Sequence, residues 1–211
     1  VGLLEKGTSG EYLFHDHYRL RRSGTWQIEK GGHWIRFDQV LEGERGWAYR
    51  YRKTIRLLAG EPGFVMEYLL QNSGARTMDI DHYNHNFTVI DGSPYGPDYV
   101  VEFPFEVDQP KPINDLAWFR DGAIEVERPL EDRSLWIQLY EGPVRVDYNA
   151  ATVRNRITGA AVSFKGDARI DRMVFWAVER AACPEPFFRI KLDPGESTTW
   201  SSSYRFSADS G

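Results

Sequence analysis

A short polar segment from Ile80 to Asp91, "IDHYNHNFTVID", combines two histidines and two asparagines with a tyrosine. Alternation along an extended strand divides these side chains between two faces. One face carries Tyr83, His85 and Phe87, and the other carries His82, Asn84 and Asn86. The two histidines are therefore poor candidates for ligands of one metal ion, but one of them can transfer protons near neutral pH if its face lines a groove. A solvated polar sheet face is the alternative interpretation.

A carboxylate late in the chain is the second candidate for acid–base chemistry. Glu185 lies between Pro184 and Pro186 in "ACPEPFFRI". Proline has a fixed φ and no N–H, so this backbone does not join a regular ladder and holds the carboxylate still. An exposed glutamate in a loop is the alternative.

Other kinds of site find little support in the sequence. His15 and His17 in "FHDHY" share a strand face and could pair on a metal, but no glutamate follows within four residues, so we expect no metal. Cys183 is the only cysteine, which excludes an internal disulfide and a cysteine-built zinc site. Neither a P-loop, a G-x-G-x-x-G nor a G-x-S-x-G motif occurs, and we expect no cofactor.

The elements that must position these residues are strands. Apolar and polar residues alternate in segment after segment, as in "GWAYRYRKTIRL" and "RMVFWAV", and the separators are rich in Gly, Pro and Asn. One short helix is possible in "INDLAWFRDG", residues 113–122. We therefore predict an all-β fold, a large antiparallel β-sandwich. Residues 1–211 are expected to form one domain, with further N-terminal strands lying before Val1.

The composition of the chain limits the kinds of molecule that it is expected to bind. The net charge is −5, and no run of Lys and Arg exceeds two residues, so we expect no nucleic acid. No apolar stretch has the length of a membrane span, so we expect no membrane partner. Aromatic residues make up 14% of the chain, which suits either a β core or stacking on sugar rings. Trp34, Trp47 and Tyr95 are the candidates for stacking.

Three segments together resemble the galactose mutarotase-like (aldose 1-epimerase-like) superfamily. The first runs from Tyr49 to Phe87 and contains "LLQNSGA" and "NHNF", in the places of the family's L-x-N-x-G and His-x-Tyr-Phe patterns. The second is "ACPEPFFRI", similar to a late Cys-x-Glu segment. The third is the closing "KLDPGESTTWSSSYRFS". Order and spacing agree over roughly residues 45 to 207.

The resemblance implies a supersandwich that binds a sugar on its concave face. It also implies that His85 acts as general acid toward the ring oxygen and that Glu185 takes the proton of the anomeric hydroxyl. Tyr83, Asn84 and Asn86 are expected to contact the substrate, a small sugar or oligosaccharide. This chemistry is sensible because ring opening needs one base and one acid, and no metal.

The sequence also departs from the family's pattern. "NHNF" has Asn86 where a tyrosine is usual, and the family's earlier Asn-x-His-Gly-Gly motif and its upstream arginine are absent. Three functions therefore stay open. The first is an aldose 1-epimerase-like isomerase, and the second is a non-catalytic carbohydrate-binding domain. The third is a polysaccharide lyase-like enzyme, since "HYNHN" has the residue types that act on uronates.

Overall fold

The computed structural model describes residues 2–4, 17–106 and 111–208, and these residues form strands and turns. They contain no helix, hence none that is long and apolar enough to cross a membrane. The strands are β1 (Gly2–Leu4), β2 (Leu20–Ser23), β3 (Thr25–Lys30), β4 (Trp34–Glu42), β5 (Ala48–Leu57), β6 (Gly63–Asn72), β7 (Met78–Tyr83), β8 (Tyr99–Glu102), β9 (Lys111–Ile113), β10 (Ala117–Arg120), β11 (Ala123–Val126), β12 (Leu135–Arg145), β13 (Ala150–Asn155), β14 (Ala161–Gly166), β15 (Ile170–Val178), β16 (Ala181–Leu192) and β17 (Ser197–Ser207). The predicted all-β, antiparallel fold is confirmed.

The chain forms two compact units, and neither is continuous in sequence. Unit 1 contains the described residues up to Arg56, together with Met66–Asp79 and Lys191–Thr199. Unit 2 contains Leu57–Val65, Ile80–Ile190 and the described residues from Trp200 onward. The expectation of a single domain over residues 1–211 stays a prediction.

In unit 1, β3, β4, β5 and the later part of β6 form an antiparallel sheet in that order. The register between β4 and β5 is regular from Trp34↔Arg56 to Glu42↔Ala48. Leu41 is almost fully buried, and the amide of Gln39, also buried, accepts a hydrogen bond from the Tyr49 hydroxyl. This pairing satisfies a polar group that burial would otherwise penalise.

In unit 2, two antiparallel sheets pack face to face. One has the order β6-β17-β14-β13-β8-β11-β10-β9, with the start of β6 at its edge, and the other has the order β12-β15-β16-β7. The core between them contains buried rings and aliphatic side chains, among them Phe119, Ile124, Leu130, Leu135 and Phe175. The alternation seen in the sequence gives each strand one apolar face for this core.

The strand that carries the histidines is shorter than predicted. β7 ends at Tyr83, and the backbone pairs with β16 again only at Thr88, which exchanges both hydrogen bonds with Ala182. In β16 the backbone groups of residues 184 and 186 face the same edge as those of Ala182, the edge toward the histidine strand. Both residues are prolines and have no N–H to donate there. The ladder therefore opens between Tyr83 and Thr88, beside Glu185.

The short helix predicted at residues 113–122 is wrong. That segment holds the end of β9, all of β10, and a two-residue turn into β11. Asp121 and Gly122 form the turn with φ values of 51° and 73°. Positive φ at both positions is the type I′ geometry that suits the twist of a hairpin, so Asp-Gly here indicated a hairpin.

Candidate functional site

Strand order brings the two acid–base candidates onto one face of the sheet β12-β15-β16-β7. Residues 183, 185 and 187 of β16 point outward from the core together with Tyr83, His85 and Phe87, as the ring and side-chain contacts between these two sets show. His85 Nε2 lies 3.2 Å from Glu185 Oε1. The His85 side chain is 35% exposed and that of Glu185 is 9% exposed. The carboxyl is therefore sheltered beneath an imidazole that solvent can reach.

A buried thiol completes this cluster. Nδ1 of His85 is in hydrogen-bond contact with Sγ of Cys183, so the imidazole lies between a thiol and a carboxyl. The ligand atoms of the three residues lie within 4.8 Å of one another. A nitrogen, a sulfur and an oxygen at such distances could hold a transition metal such as zinc. The absence of a metal, predicted from the sequence, stays a prediction.

Burial sets the protonation of the pair. Desolvation raises the pKa of Glu185 to about 7, although a hydrogen bond with Cys183 acts in the opposite direction. Desolvation lowers the pKa of His85 below its ordinary value of 6.5. Burial, and secondarily the charge of Glu185, raises the pKa of Cys183, so this thiol stays protonated. Between the lowered pKa of His85 and the pKa of about 7 of Glu185, the two groups therefore hold one proton together.

Aromatic rings surround the imidazole. The ring of His85 stacks on Phe87 with centroids 4.1 Å apart, and Trp176 meets His85 edge-on at 5.6 Å. Phe187 stacks on Tyr83 at 4.4 Å. Trp136 lies directly opposite Trp176 in the register of β12 and β15.

Three of these rings are open to solvent, because Phe87 is 63%, Trp136 61% and Tyr83 38% exposed. Sequence reasoning did not assign Trp136, Trp176 or Phe187 to the site. Alternation in "SLWIQLY" and "RMVFWAV" did indicate faces for the two tryptophans, but not which strands would be neighbours of the histidine strand.

The opposite face of the histidine segment packs inward, against β17. His82 meets Trp200 edge-on at 4.8 Å. Asn84 Nδ2 donates to Ser202 Oγ at 3.3 Å, and the Tyr204 hydroxyl donates to Asn86 Oδ1 at 2.7 Å. The predicted division of the segment into two faces is thus what the structure has.

Asn84 and Asn86 lie on the opposite face of the segment from His85, and the expectation that they contact a substrate stays a prediction. Asn86 Nδ2 also donates to the carbonyl of Pro184 at 2.9 Å, where the backbone ladder is open. Because every second residue points to the core, the two amides join the sheets of unit 2. Their printed contacts are with β17 and with the carbonyl of Pro184.

Of the three residues predicted to stack on a sugar, one is buried in unit 2 and two belong to unit 1. Tyr95 is buried in the core, where it contacts Tyr99 and Phe175, so its ring has no open face for a sugar. Trp34 and Trp47 are half-buried residues of unit 1, and the guanidinium of Arg76 lies 5.1 Å from the Trp47 ring centroid. His17 is exposed, and His15 lies outside the described residues.

Comparison with solved structures identifies the fold. A galactose mutarotase related enzyme from Lactobacillus acidophilus matches 86% of this chain over 71% of its own length, with a TM-score of 0.58 and 13% identity. A galactose mutarotase-like protein from Lactobacillus casei matches 86% of this chain over 73% of its length, with a TM-score of 0.56 and 14% identity. A candidate aldose 1-epimerase from Klebsiella pneumoniae has a TM-score of 0.61 and 13% identity.

The last comparison covers 86% of this chain and 53% of the Klebsiella protein, so the chain spans about half of that protein's length. No protein-family model matches the sequence, and no curated protein matches it. At these identities the likeness concerns the fold, which is the galactose mutarotase-like β-sandwich predicted from the sequence.

Proposed function

We propose that this protein interconverts the anomers of an aldose, with His85 and Glu185 as the proton-transfer groups. The observation that carries the proposal is the 3.2 Å contact between His85 Nε2 and Glu185 Oε1 on an open, aromatic face of the sheet. An acid–base pair beside exposed aromatic rings suits a sugar, whose C–H faces pack on rings while its hydroxyls meet polar groups.

The reaction needs one proton to be taken and one to be given. A base removes the proton of the anomeric hydroxyl, and the electrons of that O–H bond form the C1=O double bond. The C1–O5 bond breaks, its electrons go to O5, and an acid protonates O5. Closing of the open-chain aldehyde on its other face gives the other anomer, with acid and base exchanged.

A pair of groups that shares one proton supplies both roles. O1 and O5 are bonded to the same carbon, so neighbouring groups on one face can serve them, and their mutual contact gives way to bonds with the two sugar oxygens. The resemblance to the epimerases assigns the base to Glu185 and the acid to His85. Burial favours the tautomer with the proton on Glu185, and the proton count of the pair is the same in both tautomers.

The relatives support a sugar as the substrate. The Lactobacillus acidophilus protein is a galactose mutarotase related enzyme, and the Klebsiella pneumoniae protein is a candidate aldose 1-epimerase. Both share the fold of this chain, and a shared fold suggests a function without establishing it. The function is therefore proposed from His85, Glu185 and the rings around them.

Polarimetry of freshly dissolved α-glucose and α-galactose tests the proposal. The protein should accelerate the return to the equilibrium rotation, and Glu185→Gln and His85→Gln should each reduce kcat/KM by roughly 100-fold or more, as expected for loss of a general acid or base. Glu179→Gln, at an exposed position outside the cluster, is the matched control and should retain activity. A rate equal to the spontaneous one with a range of aldoses would refute the proposal.

A non-catalytic carbohydrate-binding role is the second candidate. It is favoured by the exposure of Trp136 and Phe87, since such rings bind sugars without any chemistry. Calorimetry separates the two functions. Sugar binding that Trp136→Ala weakens, with no acceleration of mutarotation by the wild-type protein, would favour the binding domain.

A further inference from the structure

An arginine lies on the same outward face as the acid–base pair. Arg172 of β15 is opposite Phe187 in the register with β16, and Val174, two residues further along, is opposite Glu185. One strand spacing and two residues of rise separate Arg172 from Glu185, about 5 Å across and about 7 Å along. A sugar ring over Glu185 can therefore bring an exocyclic substituent to the guanidinium.

The hydrogen-bond donors of Arg172 are not used by the protein. Within the described residues Arg172 forms no hydrogen bond, and its buried Nε has no partner. Its ion pair with Asp81, which is exposed, is 3.7 Å long, beyond the range of an N–H···O bond. By contrast, Arg120 and Arg205 each donate to a carboxylate, of Glu125 and Glu61 respectively.

The guanidinium is nevertheless held in place. Its Cζ lies 4.2 Å from the ring centroid of Phe187, and Phe187 in turn stacks on Tyr83. A cation on an aromatic face is positioned without using its N–H groups. The planar fork of five donors matches the oxygens of a carboxylate or phosphate, so this arginine is pre-organised for an anion.

We propose that Arg172 binds a carboxylate or phosphate group of the sugar, so that the preferred substrate is an anionic aldose. Where turnover is concerned, the inference rests on the proposed function. Glu141 lies opposite Arg172 in the register with β12, but its carboxylate accepts a hydrogen bond of 2.6 Å from Gln138 Nε2. The open donors of Arg172 are therefore left for a ligand.

The test compares glucuronate, galacturonate and glucose 6-phosphate with glucose and galactose. Anomer exchange is followed by NMR and binding by calorimetry, for the wild type, Arg172→Gln and Arg172→Lys. Arg128→Gln removes one positive charge from an exposed arginine that pairs with Asp115, and serves as the matched control. Thermal melts show whether each variant is folded.

In the wild type, kcat/KM for at least one anionic sugar should exceed that for its neutral parent by about ten- to 100-fold, the worth of a charge-assisted hydrogen bond. Arg172→Gln should abolish this preference, Arg172→Lys should keep part of it, and Arg128→Gln should keep all of it. The uronates and the hexose phosphate show which anion is recognised. Equal kcat/KM for charged and neutral sugars, or a preference that survives in folded Arg172→Gln, would overturn the inference.

Calorimetry keeps this inference separable from the proposed function. If no sugar is turned over but an anionic sugar binds more tightly than its neutral parent and Arg172→Gln removes the difference, the role of Arg172 stands and the epimerase function fails. If neutral sugars are turned over and anionic ones are not favoured, the epimerase function stands and the role of Arg172 is refuted.

Discussion

Replacing Glu185 by glutamine should stabilise the protein at neutral and alkaline pH, whatever its function. The folded state raises the pKa of Glu185 from 4.5 to about 7 because the carboxyl is buried. Below about pH 4.5 the group is protonated in both folded and unfolded states and has no effect. Between these values unfolding releases a proton, so the free energy of unfolding falls as pH rises, and the full loss remains above the folded pKa.

The size of the effect follows from the shift. At about 1.36 kcal/mol per unit of pKa, an increase of this size corresponds to roughly 3 kcal/mol, which is an upper value because His85 and solvent can adjust. Glutamine has a similar shape and no charge. We therefore expect Glu185→Gln to be nearly neutral at pH 4.5 and to gain 1 to 3 kcal/mol, roughly, over the wild type at pH 8.

Urea denaturation at several pH values between 4.5 and 8.5 measures this difference. Glu179→Gln, which also removes one carboxylate but from an exposed position, is the control for the change in net charge. A difference between Glu185→Gln and wild type that does not change with pH would refute the argument that burial of this carboxyl sets its pKa. A growing loss of stability in the variant with rising pH would show that the sign is wrong.

Three further predictions concern the His85–Glu185 pair, Asn86, and the hairpin between β10 and β11. The pH profile of kcat/KM for mutarotation should be bell-shaped, with an alkaline limb near pH 7 from Glu185 and an acid limb below pH 6.5 from His85. If the Glu185→Gln variant keeps some activity and its alkaline limb is unchanged, this assignment is contradicted. Asn86→Ala should lower the free energy of unfolding by about 1 to 3 kcal/mol, because it removes the hydrogen bonds of Asn86 with the Pro184 carbonyl and the Tyr204 hydroxyl. An unchanged melting temperature would count against the role of Asn86 in joining the two sheets. Gly122→Ala should lower the free energy of unfolding by about 1 kcal/mol or more, because φ is 73° and the added Cβ would lie 3.2 Å from two backbone oxygens. Gly32 has open space around it, so Gly32→Ala should leave the free energy of unfolding unchanged in the same denaturation assay.

Much of the fold could be predicted from the sequence, because β-strands and turns produce residue patterns over short stretches of chain. A period of two, with Gly, Pro and Asn at the bends, predicted strands and antiparallel pairing, and the structure confirms both. The same alternation placed His85 with Tyr83 and Phe87. The helix predicted over residues 113–122 failed because several apolar residues in ten positions suit a helix or a hairpin. The Asp121-Gly122 turn, with positive φ at both residues, decides between the two in favour of the hairpin.

The residues of the candidate site could be predicted from the sequence only in part. The two prolines that flank Glu185 point to this residue, but the expectation that they keep it out of a regular ladder is wrong on one edge: residues 184 to 186 belong to β16 and pair in unbroken register with β15, and the ladder is open only on the edge that faces residues 83 to 88. The resemblance predicts that Asn84 and Asn86 contact the substrate, whereas alternation puts them on the face opposite His85, and the structure has them on that face. Tyr95 was assigned for its ring alone, and nothing local shows that this ring is buried.

The sequence by itself determined the class of fold, the two faces of the histidine strand, and the two candidates for proton transfer, His85 and Glu185. Only the tertiary structure decided that His85 and Glu185 touch, although 100 positions separate them, because strand order in a sheet depends on long-range pairing. It also decided the pKa of Glu185 and the neighbours Trp136, Trp176 and Arg172. Burial and cross-strand contact depend on the whole packed sheet, and no segment of the chain specifies them alone.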